Sequence, residues 1–271
     1  GDVSGSHGSS DIWLVKTDAS GNILWQHCYG GTLEEIATAV KKTSDNGYIV
    51  AGYSNSNDGD LSSNAGGYDY WIIKTDEMGN VEWQRSFGGS NWDWAYDIHQ
   101  TLDGGYVVGG TTLSHDGEVV GSNGSWDFWI LKLDALGNLQ WQKCLGGSSS
   151  DRLYELAQTQ GGTYIVSGST NSDNGDVSGN HGDSDFWIAG IDETGNLFWQ
   201  QCFGGAENDE PWSVSLTDDG GFIVAGLTES IDGDVMGFHG QEDYWILKFS
   251  CVVTQKFYID SDGDGHGTSS G

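Results

Sequence analysis

Residues 127–147 read DFWILKLDALGNLQWQKCLGG. Asp127 to Asp134 is a candidate strand, and so is Asn138 to Leu145, each an apolar run broken by single polar residues. Ala135-Leu136-Gly137 between them is a hairpin loop, with Gly137 supplying the left-handed backbone that such loops need. Two glycines, Gly146 and Gly147, then end the stretch.

Moving outward, the same pattern returns every 58 residues. Trp13, Trp71, Trp129, Trp187 and Trp245 form one column, and Trp25, Trp83, Trp141 and Trp199 another. Gly30, Gly88, Gly146 and Gly204 each open a glycine pair, and Asp11, Asp69, Asp127, Asp185 and Asp243 keep the same step. A fixed period without insertions means repeated supersecondary units. Upstream of Asp127, Ala95 to Thr101 and Tyr106 to Thr112 are candidate strands around the Leu102–Gly105 turn, followed by a long loop, Leu113 to Ser125. Each unit therefore reads as four antiparallel strands, and no stretch keeps a helical 3.6 period.

The first hairpin shows which side chains share a face. A three-residue loop at Ala19–Gly21 pairs Trp13 with His27 and Val15 with Trp25, which puts Trp13 and Trp25 on one face. Both faces are then largely apolar, as in a sheet sandwiched between identical neighbours. The fold class expected is all-β: a β-propeller of 58-residue four-stranded antiparallel blades, incomplete at both ends. Units fall at about 1–30, 31–88, 89–146, 147–204 and 205–249, with 250–271 a linker of different composition. The first hairpin could complete a blade with Pro211–Thr228, leaving Asp243–Phe249 as a surplus strand.

Composition narrows the function classes. The chain has 271 residues, 40 Asp+Glu against 10 Lys+Arg, a net charge of −30, 44 Gly and 13 Trp. Such acidity argues against nucleic acid and anionic membranes as partners. No apolar run of about 18 residues exists to insert in a bilayer. Cys28, Cys144 and Cys202 share one column on separate units, so no disulfide is expected among them. His7, His181 and His239 share a loop column and read as capping groups. Lys16, Lys74, Lys132 and Lys248 read as strand-edge charges that pair locally over apolar surface.

Two sets of acids are candidate calcium ligands. In the tail, Asp260, Asp262 and Asp264 alternate before Gly265, the start of a calcium loop; the twelfth position is Gly271, so the bidentate acid of an EF-hand is missing. In the long loops, Asp58 and Asp60, Asp173 and Asp176, and Asp232 and Asp234 sit among glycines and could hold one Ca²⁺ each; the same spacing also makes Asx-turns. Trp92, Trp94, Trp126 and Trp212 fall outside the repeat columns and are candidate ligand-binding residues, because aromatic rings stack on sugars. No nucleophile elbow, zinc-protease helix or phosphate loop is present. Acidic pairs such as Glu34-Glu35 and Asp218-Asp219 are expected by chance among 40 acids, so an enzyme is not expected.

The unit can be written T-x-D-G-G-Y-I-V-x-G-x-T, then G-D-V-x-G-x-H-G, then D-x-W-I-x-K-x-D-x-x-G-N-x-x-W-Q-x-x-x-G-G. Over Gly1–Phe249 this resembles tandem propeller-type repeats of large secreted bacterial surface proteins of the type IX-exported kind. Phe257–Gly267 (FYIDSDGDGHG) resembles the start of a thrombospondin type 3-like calcium repeat. The resemblance implies an extracellular or cell-surface location, a monomeric segment of a larger chain, Ca²⁺ as a stabiliser, and adhesion to extracellular polysaccharide or protein. A polysaccharide-active enzyme using the propeller funnel and a structural spacer are the alternatives.

Overall fold

The computed structural model describes residues 3–250; Asp260, Asp262 and Asp264 lie outside them. Seventeen strands fill the described chain. The first hairpin is β1 (Ile12–Thr17) and β2 (Ile23–Tyr29). The second unit is β3 (Glu35–Lys42), β4 (Tyr48–Ser54), β5 (Asp69–Thr75) and β6 (Val81–Phe87). The third is β7 (Asp93–Gln100), β8 (Tyr106–Thr112), β9 (Asp127–Leu133) and β10 (Leu139–Leu145). The fourth is β11 (Asp151–Gln158), β12 (Tyr164–Thr170), β13 (Asp185–Ile191) and β14 (Leu197–Phe203). The last comprises β15 (Asp209–Leu216), β16 (Phe222–Thr228) and β17 (Asp243–Phe249). Each unit is a separate antiparallel meander in sequence order, so the protein is an all-β repeat of four-stranded sheets, two-stranded at the start and three-stranded at the end.

Both faces of the interior sheets are buried, as their patterning requires. Every residue of β5, β8, β9, β12 and β13 is buried. Neighbouring units pack aromatic on aromatic: Tyr70 on Trp129 at 4.6 Å between ring centroids, Phe128 on Trp187 at 4.5 Å, and Phe186 on Trp245 at 4.9 Å. The Trp83 and Trp141 indoles donate to Ala135 O and Glu193 O in the next unit, at 3.2 and 3.0 Å. Stacked units thus share continuous cores that no single sheet could form.

Two expectations need correction. The first hairpin pairs Trp13 with Cys28 and Lys16 with Trp25, and its register shifts at Lys16/Thr17. One extra residue in β2 makes a bulge, and a one-residue slip moves every following side chain to the other face. Trp13 therefore shares a face with Gln26, whose side chain accepts from its indole at 2.9 Å, and not with Trp25. Asp243–Phe249 is not surplus: β17 takes the edge of β16 that β1 was expected to fill, pairing Gly226 with Trp245.

Acidic latches fix one unit to the next. Gly146 lies between two buried carboxylates; a Cβ there would collide with Asp127 Oδ1 and come within 2.8 Å of Asp151 Oδ2. Only glycine fits such a close approach. Asp151 accepts from the Gly147 amide at 2.7 Å and the Ser172 hydroxyl at 2.9 Å. Oδ1 of Asp127 is buried without a hydrogen-bond partner. Burial, with Asp151 and Asp176 nearby, pushes the Asp127 carboxyl up to about 8. Asp69, in the same setting beside Asp93 and Glu118, is pushed up to about 7.

Candidate functional site

The inner strands β3, β7, β11 and β15 each carry a register shift at one position: Ala37/Ala39, Ala95/Asp97, Leu153/Glu155 and Pro211/Ser213. A bulge adds a residue that the ladder does not pair, and it re-aims that side chain. The bulged residues are Thr38, Tyr96, Tyr154 and Trp212, 58 apart. All four line one groove of about 430 Å³, together with Lys41, Asp97 and Glu155. Tyr96 and Tyr154 stand 5.9 Å apart, and Trp212 is 58 % exposed. Burial pushes the Tyr96 phenol up to about 12 and raises that of Tyr154, so both are neutral hydrogen-bonding groups.

The groove's two acids are already engaged. Asp97 accepts from the Leu156 amide at 3.3 Å and faces His99 Nε2 at 3.0 Å and Lys41 Nζ at 3.3 Å. Against the upward push of burial, His99 and Lys41 hold its carboxyl below the usual range. Glu155 accepts from the Val214 amide at 2.7 Å. Each carboxylate follows a bulge and ties its inner strand to the next.

A second aromatic group gathers beside this groove. Trp92 stacks on Trp94 at 5.7 Å, and Trp94 packs on Trp126 at 4.7 Å. Tyr53 lies 5.6 Å from Trp94, Tyr68 lies 6.2 Å from Trp92, and the Arg152 guanidinium sits 5.4 Å over the Trp126 ring. Trp92 is 47 % exposed, whereas Trp126 is buried. The Trp94 indole N–H and Arg152 Nε are buried without hydrogen-bond partners. Tyr68 donates to Glu34. This is a half-open aromatic platform with polar groups at its margin, the arrangement that stacks on and hydrogen-bonds planar or ring-shaped ligands.

Three of the four singled-out tryptophans, Trp92, Trp94 and Trp126, thus meet at one place, while Trp212 lies in the groove. Sequence reading missed Thr38, Tyr53, Tyr68, Tyr96, Tyr154 and Arg152. For Tyr68 and Arg152 a signal was present: Tyr68 and Trp126 share one column whose later members are Ser184 and Glu242, and Trp94, Arg152 and Glu210 share another. Variable columns in an otherwise strict repeat mark positions that the scaffold does not need.

The long-loop acids cap the glycine pairs. Asp58 accepts from the Thr32 amide at 2.8 Å and hydroxyl at 2.9 Å, and Asp60 from the Gly30 amide at 3.0 Å. Asp232 accepts from the Ala206 amide at 2.8 Å, and Asp234 and Asp176 from Gly204 and Gly146 at 3.4 and 3.3 Å. Asp173 accepts from the Gly179 amide at 3.0 Å. Among the described residues no group of three or more His, Cys, Asp or Glu is placed to hold a metal ion. His181 caps Asp185 through its amide and through Nδ1, at 2.9 and 2.7 Å. Of the acidic pairs, Glu35 caps the Gly31 amide at 2.8 Å and Asp219 pairs with Lys248 at 2.8 Å. Cys28, Cys144 and Cys202 are free thiols, and burial pushes that of Cys202 up to about 12.

No family model matches the chain. It is 27% identical over 230 residues to the regulatory protein FlaEY of Caulobacter vibrioides, a match that covers 78% of this chain and 24% of that protein's length. The chain thus spans about a quarter of that relative. Among solved structures, a protein of unknown function from Bacteroides caccae aligns over 89% of this chain and 94% of its own, with a TM-score of 0.38 and 12% identity.

Proposed function

We propose that the chain is a non-enzymatic recognition module of propeller type, with each 58-residue unit a blade, belonging to a larger secreted or surface-displayed bacterial protein. Its ligand is an extracellular polysaccharide, taken by the Trp92–Trp94–Trp126 platform and extended along the Tyr96–Tyr154–Trp212 groove. The observation that carries this reading is the convergence of the repeat-breaking aromatics, with Trp92 half open to solvent. Aromatic contacts of this type are worth on the order of 1 kcal/mol each beyond burial. On a polysaccharide array read out by calorimetry, Trp92→Ala should weaken binding about tenfold with an unchanged melting curve. Binding unaffected by Trp92→Ala and Trp212→Ala, or reducing sugar released from the bound polymer, would exclude the proposal.

Calcium enters the proposal as a stabiliser of the acidic long loops. An ion there competes with amides for the same oxygens, so the affinity expected is weak, on the order of 10⁻⁴–10⁻³ M. A melting temperature that rises with millimolar calcium and falls on chelation is the expected result.

A further inference from the structure

Two hydrogen-bond donors at the aromatic platform are unspent. The Trp94 indole N–H and Arg152 Nε are buried without partners, and both side chains lie against Trp126, at 4.7 and 5.4 Å. A buried donor left unpaired costs its full desolvation, so each asks for an acceptor. Arg152 is also short of a counter-charge. Among the described residues Lys41, Lys74, Lys132 and Lys248 each pair with an acid, whereas Arg152 forms no ion pair in a chain with 40 Asp+Glu. Its charge reaches the groove as well: burial raises the phenols of Tyr96 and Tyr154, and the guanidinium draws them part of the way back.

The repeat shows how the surroundings of this cation differ from those of its counterpart. In the third unit Trp94 has Trp92 and Trp126 for neighbours. In the fourth unit Arg152 takes the Trp94 column, and the Trp92 and Trp126 columns hold Ser150 and Ser184. Ser169 is its partner across the strands. Small hydroxyl side chains stand where indoles stood, which leaves room for a ligand group and adds donors. One unit on, the same column holds Glu210, which confines the cationic spot to the fourth unit. Trp92, half exposed, lies 6.5 Å from Trp126, so a single ligand reaches both its ring and Arg152.

We infer, resting on the polysaccharide reading of the platform, that it takes a largely neutral glycan carrying one acidic substituent, a carboxylate or a sulfate, with a sugar ring stacked on Trp92 and the acid seated on Arg152. A guanidinium fork matches either oxyanion with two parallel hydrogen bonds. The net charge of −30 favours an isolated acid over a polyanion, because repulsion grows with every charge brought near. One seated acid meets Arg152 at contact distance, while carboxylates farther than about 8 Å away are screened at physiological salt.

Calorimetry of the full 271-residue chain tests this with xylo- and gluco-oligosaccharides bearing one glucuronate, the same compounds after carboxyl reduction, their singly sulfated counterparts, and polygalacturonate. An acid-bearing form should bind about tenfold more tightly than the neutral one, and the tighter of carboxylate and sulfate names the substituent. Arg152→Gln, with an unchanged melting curve, should erase that preference by weakening the acidic ligand alone. Arg152→Lys, which keeps the charge and loses the fork, should retain part of it. Equal binding of acidic and neutral forms that still depends on Trp92 overturns the inference and leaves the polysaccharide reading standing. Binding of neither form overturns both. A preference that survives Arg152→Gln, or polygalacturonate bound more tightly than the singly substituted ligand, also overturns the inference. Should Arg152→Gln fail to fold, the wild-type comparison of acidic with neutral ligand decides alone.

Discussion

In the third unit a lysine reaches from β9 to the turn of the inner hairpin; in the fourth the same place holds no charge. Lys132 is buried and pairs with Asp103 at 2.9 Å, and it donates to Gln140 at 3.2 Å and to Leu133 O at 3.0 Å. The second unit builds the same knot from Lys74, Asp45 and Glu82. In the fourth unit all three positions change together, to Gly190, Gly161 and Phe198, and the Phe198 ring lies where a Gly190 side chain would be. The lesson is that the knot is replaceable as a set and not piecemeal. A buried lysine needs its acid and acceptors, whereas a ring filling the same space needs none.

The sharpest way to break this comparison is Gly190→Lys alone, which places an ammonium against Phe198 with no acid opposite. A loss of about 3–5 kcal/mol is expected, the cost of an unpaired buried charge. In a chain of this size that lowers the melting temperature by about 2–4 °C per kcal/mol. Exchanging the whole set in the third unit, Asp103→Gly with Lys132→Gly and Gln140→Phe, should stay within about 1 kcal/mol of the parent. A triple variant as damaged as Lys132→Gly alone would sink the idea of a replaceable set.

A second difference separates the same two units at the latch. Asp127 receives only a backbone amide from Asn123, whereas Asp185 also receives the His181 ring. Asp127 is pushed from the ordinary 3.8 up to about 8, so between those values the folded chain holds a proton that the unfolded chain releases. Stability therefore falls as pH rises through that window and is fully reduced above it. Thermal melts should decline from about pH 4 to about pH 8 and level off above it, and Asp127→Asn should flatten the decline. An equally steep decline in that variant would assign the pH response elsewhere. The smallest effect expected is that of His181→Asn. Losing the ring removes a partner of the ionised Asp185, whose carboxyl burial already raises, and should steepen the same decline by a degree or two, about 0.5 kcal/mol.

The repeat made the scaffold legible. Columns of Trp, Gly and Asp located the strands, the glycine pairs and the turns, because those positions answer to packing that each unit needs in the same way. The register of the first hairpin was not legible, since the bulge at Lys16/Thr17 inverts the face of Trp13 without leaving a residue type behind. The groove escaped for the same reason: Thr38, Tyr96, Tyr154 and Trp212 share nothing as a column except the bulge that turns them inward. The platform was half legible. Trp92, Trp94 and Trp126 stood out as departures from the period, but their convergence joins the inner edges of neighbouring units, and sequence distance hides it.

The bulged column has a consequence for how such a chain could acquire specificity. The latches at the glycine pairs do not involve residues 38, 96, 154 and 212, although the Thr38 hydroxyl donates to Ala95 O of the next unit at 2.8 Å and Tyr96 packs beside Tyr154. Each unit thus offers one letter to the groove at the same place in its first strand. Threonine, tyrosine, tyrosine and tryptophan spell the present word. Rewriting it at Trp212, the most exposed of the three aromatic letters, needs only a point substitution that leaves the grammar of the sheets untouched.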